Sequence, residues 1–406
     1  MNVLQFKDRF HKEYGSSNNQ PIHCFFSPGR VNLIGEHIDY NGGYVFPAAL
    51  SLGIYGAIRF RSDNLIQLKS TNTEPTVSVD LKQPIAFNEE DRWANYPKGV
   101  IKHLLDDGCS LKGCDILFSG NLPDGAGLSS SAALLVLVTF MLRYVGGETN
   151  MDRVELAKFC QQVENRFMGV NCGIMDQFSV AMGRQDHAIL LDCDTLQYKY
   201  TPFVLGEYSL VIMNTNKKRE LADSKYNQRR GECEAVLEII REHCQVASLC
   251  QVSFEDVEEY VKDDVLQRRA RHVISESRRV LLAVELLGQG DITGFANLMT
   301  QSHISLKNDY EVTGLELDTM VECALKRTGC IGARMTGAGF GGCAIALVAT
   351  DQLESFTVTV SQEYEQKTGL KPDFYVARIS DGVKAIDCSS KRLDIYSDYT
   401  KNSQYS

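Results

Sequence analysis

The stretch from Pro123 to Gly147, PDGAGLSSSAALLVLVTFMLRYVGG, constrains this chain more than any other. A loop of small residues, Gly125-Ala126-Gly127-Leu128-Ser129-Ser130-Ser131, runs directly into an apolar run from Ala132 to Leu142. Upstream, Cys114 to Ser119 alternates polar and apolar residues, the period of a half-buried strand. Gly146 and Gly147 follow the apolar run, as glycines follow helix C-termini. The pattern predicts a strand, a tight loop and a buried helix. The first turn of a helix has N–H groups without intrahelical partners and is the positive end of the helix dipole. Glycines let a backbone approach closely, and serines add hydroxyl donors and an oxygen ligand for a metal. The plainer reading is a serine-capped helix after a glycine turn; three consecutive serines among small residues favour a phosphate site. Two common phosphate loops are excluded. A Walker loop needs Lys-Ser/Thr after its last glycine, and Leu128 follows Gly127. A dinucleotide fingerprint needs a third glycine where Ser130 stands.

The 406 residues suffice for two or three domains, and the formal net charge of −10 argues against a general nucleic-acid binder. No apolar stretch approaches the roughly 20 residues that span a bilayer. The N-terminal segment has charges where a signal peptide has its apolar core; it reads as an amphipathic helix with Leu4, Phe6 and Phe10 inward. The 13 cysteines include no CxxC pair, which fits reduced thiols in the cytoplasm better than disulfides or a zinc site.

Residues 25–47, FFSPGRVNLIGEHIDYNGGYVFP, place Arg30, Glu36, His37, Asp39 and Tyr40 between two turn signals. Val31, Leu33 and Ile34 interrupt these charges, so the segment is expected to be partly buried, where charges need partners. Closely spaced carboxylates and a histidine suit a polyhydroxylated ligand. A helix over 151–167 contains Glu164, and Asp176 follows the Gly173 turn on an apolar background, where it could also cap a helix. Lys217-Lys218-Arg219 reads as a solvated face preceding a charged helix with Tyr226, Arg229 and Arg230. Gly337, Gly339 and Gly342 match GxGxxG, but a β-like run follows, so a glycine hinge between strands is expected rather than a dinucleotide site. The tail after Ser389 lacks periodicity and is expected to be mobile.

Together the three glycine-rich segments resemble those of the GHMP small-molecule kinases, and within that superfamily those of the galactokinases. Gly29 to Gly43 resembles the galactokinase signature, with Ile38 where the usual pattern has Thr. Gly125 to Ala133 resembles the phosphate loop and Arg334 to Gly342 the third motif; Cys172–Phe178 and Asn308–Thr313 also match. The resemblance implies an α/β, two-lobed fold. A lobe like ribosomal protein S5 domain 2 would span 1–210 and a ferredoxin-like α+β lobe 211–388, with 389–406 a flexible tail. It implies transfer of the ATP γ-phosphoryl group to the C1 hydroxyl of galactose by a cytoplasmic enzyme. Its partners would be galactose and ATP, with no nucleic acid, no membrane and a monomeric state. Asp176 would be the base and Arg30 the transition-state stabiliser. Glu36, His37, Asp39, Gly173, Asp176 and Tyr226 would contact sugar. Ser70 and Gly125, Ala126, Gly127, Leu128, Ser129, Ser130 and Ser131 would contact nucleotide, while Ser131 and Glu164 would hold Mg²⁺. Ile38 leaves open a kinase of N-acetylgalactosamine, since a relative of that preference has Ile there. A non-catalytic sugar sensor on the same scaffold is the reading of another class, but here Ser129–Ala133 is complete.

Overall fold

The computed structural model of the chain describes residues 3–16, 20–123, 125–217 and 222–386. Its strands are β1 (His23–Asn32), β2 (Tyr44–Val45), β3 (Pro47–Phe60), β4 (Leu65–Ser70), β5 (Val77–Asp80), β6 (Cys114–Gly120), β7 (His187–Asp192), β8 (Tyr198–Pro202), β9 (Tyr208–Asn214), β10 (Cys330–Thr336), β11 (Cys343–Ala349), β12 (Asp373–Ala377) and β13 (Lys384–Ile386). They form a six-stranded sheet ordered β13-β1-β3-β6-β4-β5, a four-stranded sheet ordered β10-β11-β9-β12, and a small sheet β2-β7-β8. Within the large sheet only the β4–β6 pair is parallel. The helices are α1 (Val3–Tyr14), α2 (Asn95–Asp106), α3 (Ser130–Val145), α4 (Arg153–Arg166), α5 (Met175–Met182), α6 (Ala222–Arg241), α7 (Phe254–Tyr260), α8 (Asp264–Gly288), α9 (Ile292–Ser305), α10 (Gly314–Leu325) and α11 (Leu353–Thr368).

The predicted strand, loop and buried helix are β6, residues 121–123 and 125–129, and α3. Every α3 residue from Ala132 to Leu142 is buried, because α3 packs on β1 and β3 and is covered by α2, α4 and α5. A helix apolar all round belongs in a core. The third glycine motif joins β10 to β11 as an antiparallel hairpin, so the strand–hinge–strand expectation holds. Its turn uses positive φ at Gly337, Gly339, Gly341 and Gly342, and at Phe340 as well. α9, α10 and α11 pack against this second sheet.

Two expectations need correction. Leu4 is 50% exposed while Phe6 and Phe10 are buried. At about 100° per residue, Leu4 lies roughly 200° from Phe6 and so on the opposite face. Phe6 and Phe10 close the outer face of the large sheet against Cys24, Ala57 and Leu117. The second correction concerns the boundary of the 211–388 lobe. β13 pairs with β1 through Cys24, Phe25 and Phe26, and Ser51 N–H donates to the Arg378 carbonyl at 2.9 Å. The chain therefore returns to the first lobe before its described end. Residues 389–406, Lys218 and Arg219 lie outside the described residues. Lys217 pairs with Glu316 at 2.9 Å.

Phe10→Ala should destabilise the protein by about 3–5 kcal/mol, the range for a buried phenylalanine. Leu4→Ala should stay within about 0.5 kcal/mol. Urea unfolding midpoints of the two variants test this, and equal shifts would contradict the assigned helix face.

Candidate active site

The site is built where β1, the small-residue loop and the start of α5 meet. The β1–β3 register shifts between Pro28 and Arg30, an irregularity of the kind that re-aims a side chain. Gly29 lies against the loop: a Cβ there would stand 2.7 Å from the Leu128 carbonyl oxygen. Backbone contact follows, with Arg30 N–H donating to that oxygen at 3.1 Å. The buried Arg30 guanidinium then makes three bonds. Nε donates to Asp176 Oδ1 at 2.8 Å, Nη2 to Oδ2 at 3.1 Å, and Nη1 to the Gly127 carbonyl at 2.7 Å. This two-point pairing is the strong, geometry-specific form of an arginine–carboxylate contact. Asp176 stands in the first turn of α5, with Ile174 at the cap position, so it is not the helix cap. Its side chain remains 30% exposed.

Ser129 completes the junction. It precedes α3 at φ 60°, ψ 48° and makes no side-chain cap bond. Its hydroxyl instead donates to Asp176 Oδ2 at 2.5 Å. Gly125 and Gly127 also have positive φ, which turns the loop across the N-terminus of α3. Ser130, in the first turn, is exposed. Ser70 ends β4 opposite Phe118 of β6, and its hydroxyl accepts from Asn72 N–H at 3.1 Å.

Glu164, on α4, is 5% exposed. Its partners are neutral: the Ser131 hydroxyl, the Cys172 thiol and the Gln177 amide, whose Nε2 donates at 2.6 Å. Burial, reinforced by Asp176, pushes its pKa up to about 7. No cluster of three or more His, Cys, Asp or Glu side chains suited to a metal occurs among the described residues.

The predicted sugar residues gather on the other side of Asp176. Gly173 packs directly against the Asp39 carboxylate, leaving no room for a side chain at 173. Burial, then the charges of Asp176 and Glu36, push the Asp39 pKa up to about 7. Glu36 is raised by burial, with Arg334 and Arg30 opposing. Glu36 Oε1 accepts from Gly337 N–H at 2.8 Å and from the Thr336 hydroxyl at 3.1 Å. It therefore ties the first lobe to the β10–β11 hairpin as well as facing the cluster. His37 has both ring nitrogens engaged within the chain, by Tyr40 and Ala338, and its carbonyl accepts from Asn41 Nδ2 at 2.9 Å, so its side chain is turned to the protein rather than to a ligand. The Tyr226 ring lies 5.5 Å from that of His37 and 5.3 Å from that of Tyr40, centroid to centroid. Ile38 is buried and packs against Gly43, so the departure from the usual threonine falls in the core. Sequence reasoning passed over Gln177 and Tyr310, although each sits inside a segment quoted for its motif, and it named Tyr40 without giving it a role.

Family models match along most of the chain. The galactokinase galactose-binding signature covers residues 8–60, the GHMP kinases N terminal domain 95–184 and the GHMP kinases C terminal domain 283–365. A galactokinase of Clostridium tetani (strain Massachusetts / E88) is 51% identical over 389 residues, covering 95% of this chain and 98% of the relative. A galactokinase of Fusobacterium nucleatum is 49% identical over 89% of this chain and 94% of its own length. The solved structure of Lactococcus lactis galactokinase complexed with galactose superposes with a TM-score of 0.90 at 43% identity, covering 95% of this chain and 100% of that one. A mevalonate kinase structure, at 17% identity, a TM-score of 0.60 and coverage of 88% of this chain and 99% of its own, shares the fold.

A carboxylate whose folded pKa is raised binds a proton more tightly in the folded state. Its contribution to stability is thus complete below the unfolded value and lost as pH rises through the folded one. For Asp39 that window runs from 3.8 to about 7. With no sugar or nucleotide added, the thermal midpoint should fall between pH 5 and pH 8, and Asp39→Asn should flatten the fall. An unchanged slope in the variant would show that Asp39 is not the crowded carboxylate described.

Proposed function

The chain belongs to the galactokinase family of GHMP kinases, and from that premise we propose how its cleft passes the γ-phosphoryl group of ATP to the C1 hydroxyl of D-galactose. The products are galactose 1-phosphate and ADP. The observation that carries this reading is that Asp176 accepts from Arg30 and from Ser129 together. The carboxylate suited to receive the hydroxyl proton thereby touches the loop suited to hold the phosphates.

In the transfer, the C1 oxygen forms a bond to the γ-phosphorus as the bond from that phosphorus to the β–γ bridging oxygen breaks. The C1 hydroxyl proton passes to Asp176 and ADP leaves. The transition state is loose, with little bonding to the nucleophile when charge on the phosphoryl group is greatest. Orientation of the hydroxyl and the fixed charge of Arg30 therefore matter more than early proton removal. Arg30 serves both ends: it fixes the Asp176 carboxylate and, through Gly127, the loop. Gly125 to Ser131, with Ser70 nearby, hold the nucleotide phosphates at the positive end of α3. Glu36, Asp39, Tyr226 and the backbone of His37 and Gly173 surround the sugar. Carboxylate acceptors there read the axial C4 hydroxyl, because a site built for a hydroxyl rejects a sugar that leaves its polar groups unpaired.

Ser131 and Glu164 are hard oxygen donors fitted to Mg²⁺, and the neutral partners of Glu164 leave its carboxylate without a counter-charge. The other ligands would be phosphate oxygens and water. The bound ion would neutralise charge on the nucleotide phosphates. Among the described residues the cysteines form no disulfide, six of them buried and six half-buried, which supports a reducing, cytoplasmic setting, and no described helix is long and apolar enough to cross a membrane.

Asp176→Asn should keep galactose affinity and lower kcat by at least about 10²-fold; near-normal turnover would remove Asp176 from this role. With galactose and N-acetylgalactosamine competing in one ADP-release assay, galactose should be consumed first. Preference for the acetylated sugar would reassign the substrate.

A further inference from the structure

We infer that Tyr310 and Cys233 are positioning residues for sugar recognition, heading a one-way hydrogen-bond chain from the second lobe through Tyr40 to His37 that holds the Glu36–Asp39 loop in its binding orientation. This rests on the sugar site proposed above.

The direction of the chain follows from valence. The Ala338 carbonyl can only accept, so the hydrogen in its 3.1 Å contact is on His37 Nε2. Burial, followed by the nearby His272, keeps His37 neutral by pushing its pKa down to about 3. A neutral imidazole has one N–H, so Nδ1 accepts and the Tyr40 hydroxyl donates to it at 2.8 Å. That commits the single hydroxyl hydrogen of Tyr40. Tyr310 is therefore the donor in the 2.8 Å contact between the two tyrosines. With the Tyr310 hydrogen also committed, the Cys233 thiol donates to its oxygen across 3.1 Å. Each interior member of the chain donates once and accepts once.

Both ends are anchored. Cys233 lies on α6, and Tyr310 ends a π-helical turn, Leu306–Tyr310, a feature frequent at functional sites. The buried Arg269 clamps the residues on either side of Tyr310, donating to the Asp309 carbonyl at 2.6 Å and pairing with Glu311 at 2.6 Å. Val312 accepts from Phe340 N–H at 2.7 Å, fixing the hairpin that carries Ala338. At the receiving end, His37 has φ 61°. A non-glycine residue holds that conformation only when its surroundings over-determine it. The ring bonds to Tyr40 and Ala338 supply that constraint, and Asn41 Nδ2 adds a bond to the His37 carbonyl at 2.9 Å. Glu36 and Asp39 flank this residue, so their carboxylates are aimed by it.

The test uses the full chain and its Tyr310→Phe variant. The ring stays and the donor is lost, so KM for galactose should rise about 3- to 10-fold, the effect of one hydrogen bond. KM for ATP and kcat should change less than about twofold. The ¹⁵N spectrum of the His37 ring should show the Nε2–H tautomer in the wild type and a displaced Nδ1 resonance in Tyr310→Phe. Tyr310→Phe and Tyr40→Phe combined should raise KM by less than the product of their separate effects. An unchanged galactose KM, or equal losses toward both substrates, would overturn the inference. So would an Nδ1–H tautomer in the wild type, which is readable even if Tyr310→Phe does not fold. Absence of galactose turnover in the wild type would instead defeat the proposed function, leaving the spectrum to judge the chain.

Discussion

One guanidinium holds the centre of this molecule together. Arg30 leaves β1 at a register shift and binds the small-residue loop through Gly127 and the start of α5 through Asp176. Loop, sheet and helix could each form from local sequence pattern; this contact joins all three at one point, beside the Ser129–Asp176 bond and the packing of α3 on β1 and α5. It also compensates part of an electrostatic conflict. Asp176 and Glu36 crowd Asp39, and burial opposes the charge on Asp39 and Glu36.

Much of this was legible in the sequence, and the reasons are local. The buried helix after a serine-rich turn, the amphipathic first helix and the strand after the third glycine motif all announce themselves within about 20 residues. The two mistakes are instructive. Leu4 fails on angle alone, lying across the helix from Phe6 and Phe10. The return of β13 to β1 leaves no mark in either strand, because pairing across more than 350 residues is set by topology rather than pattern.

The candidate site was legible as an inventory and less so as an arrangement. Motif resemblance named Asp176, Arg30 and the loop serines. It could not say that the Ser129 hydroxyl turns to Asp176 instead of capping α3. Nor could it say that both nitrogens of His37 face its own chain. These outcomes depend on competition among partners for a few hydrogens, which only the three-dimensional neighbourhood decides. Tyr40 and Tyr310 stand 270 residues apart, and neither carries a signal of the other.

The strand pairing of β13 with β1 bears on biogenesis. During synthesis the first lobe emerges with one flank of its large sheet unprotected, since the segment that seals β1 is made after every other described element. Exposed strand edges invite pairing with other chains. The nascent polypeptide therefore passes through a long interval in which its oldest domain is open along one border.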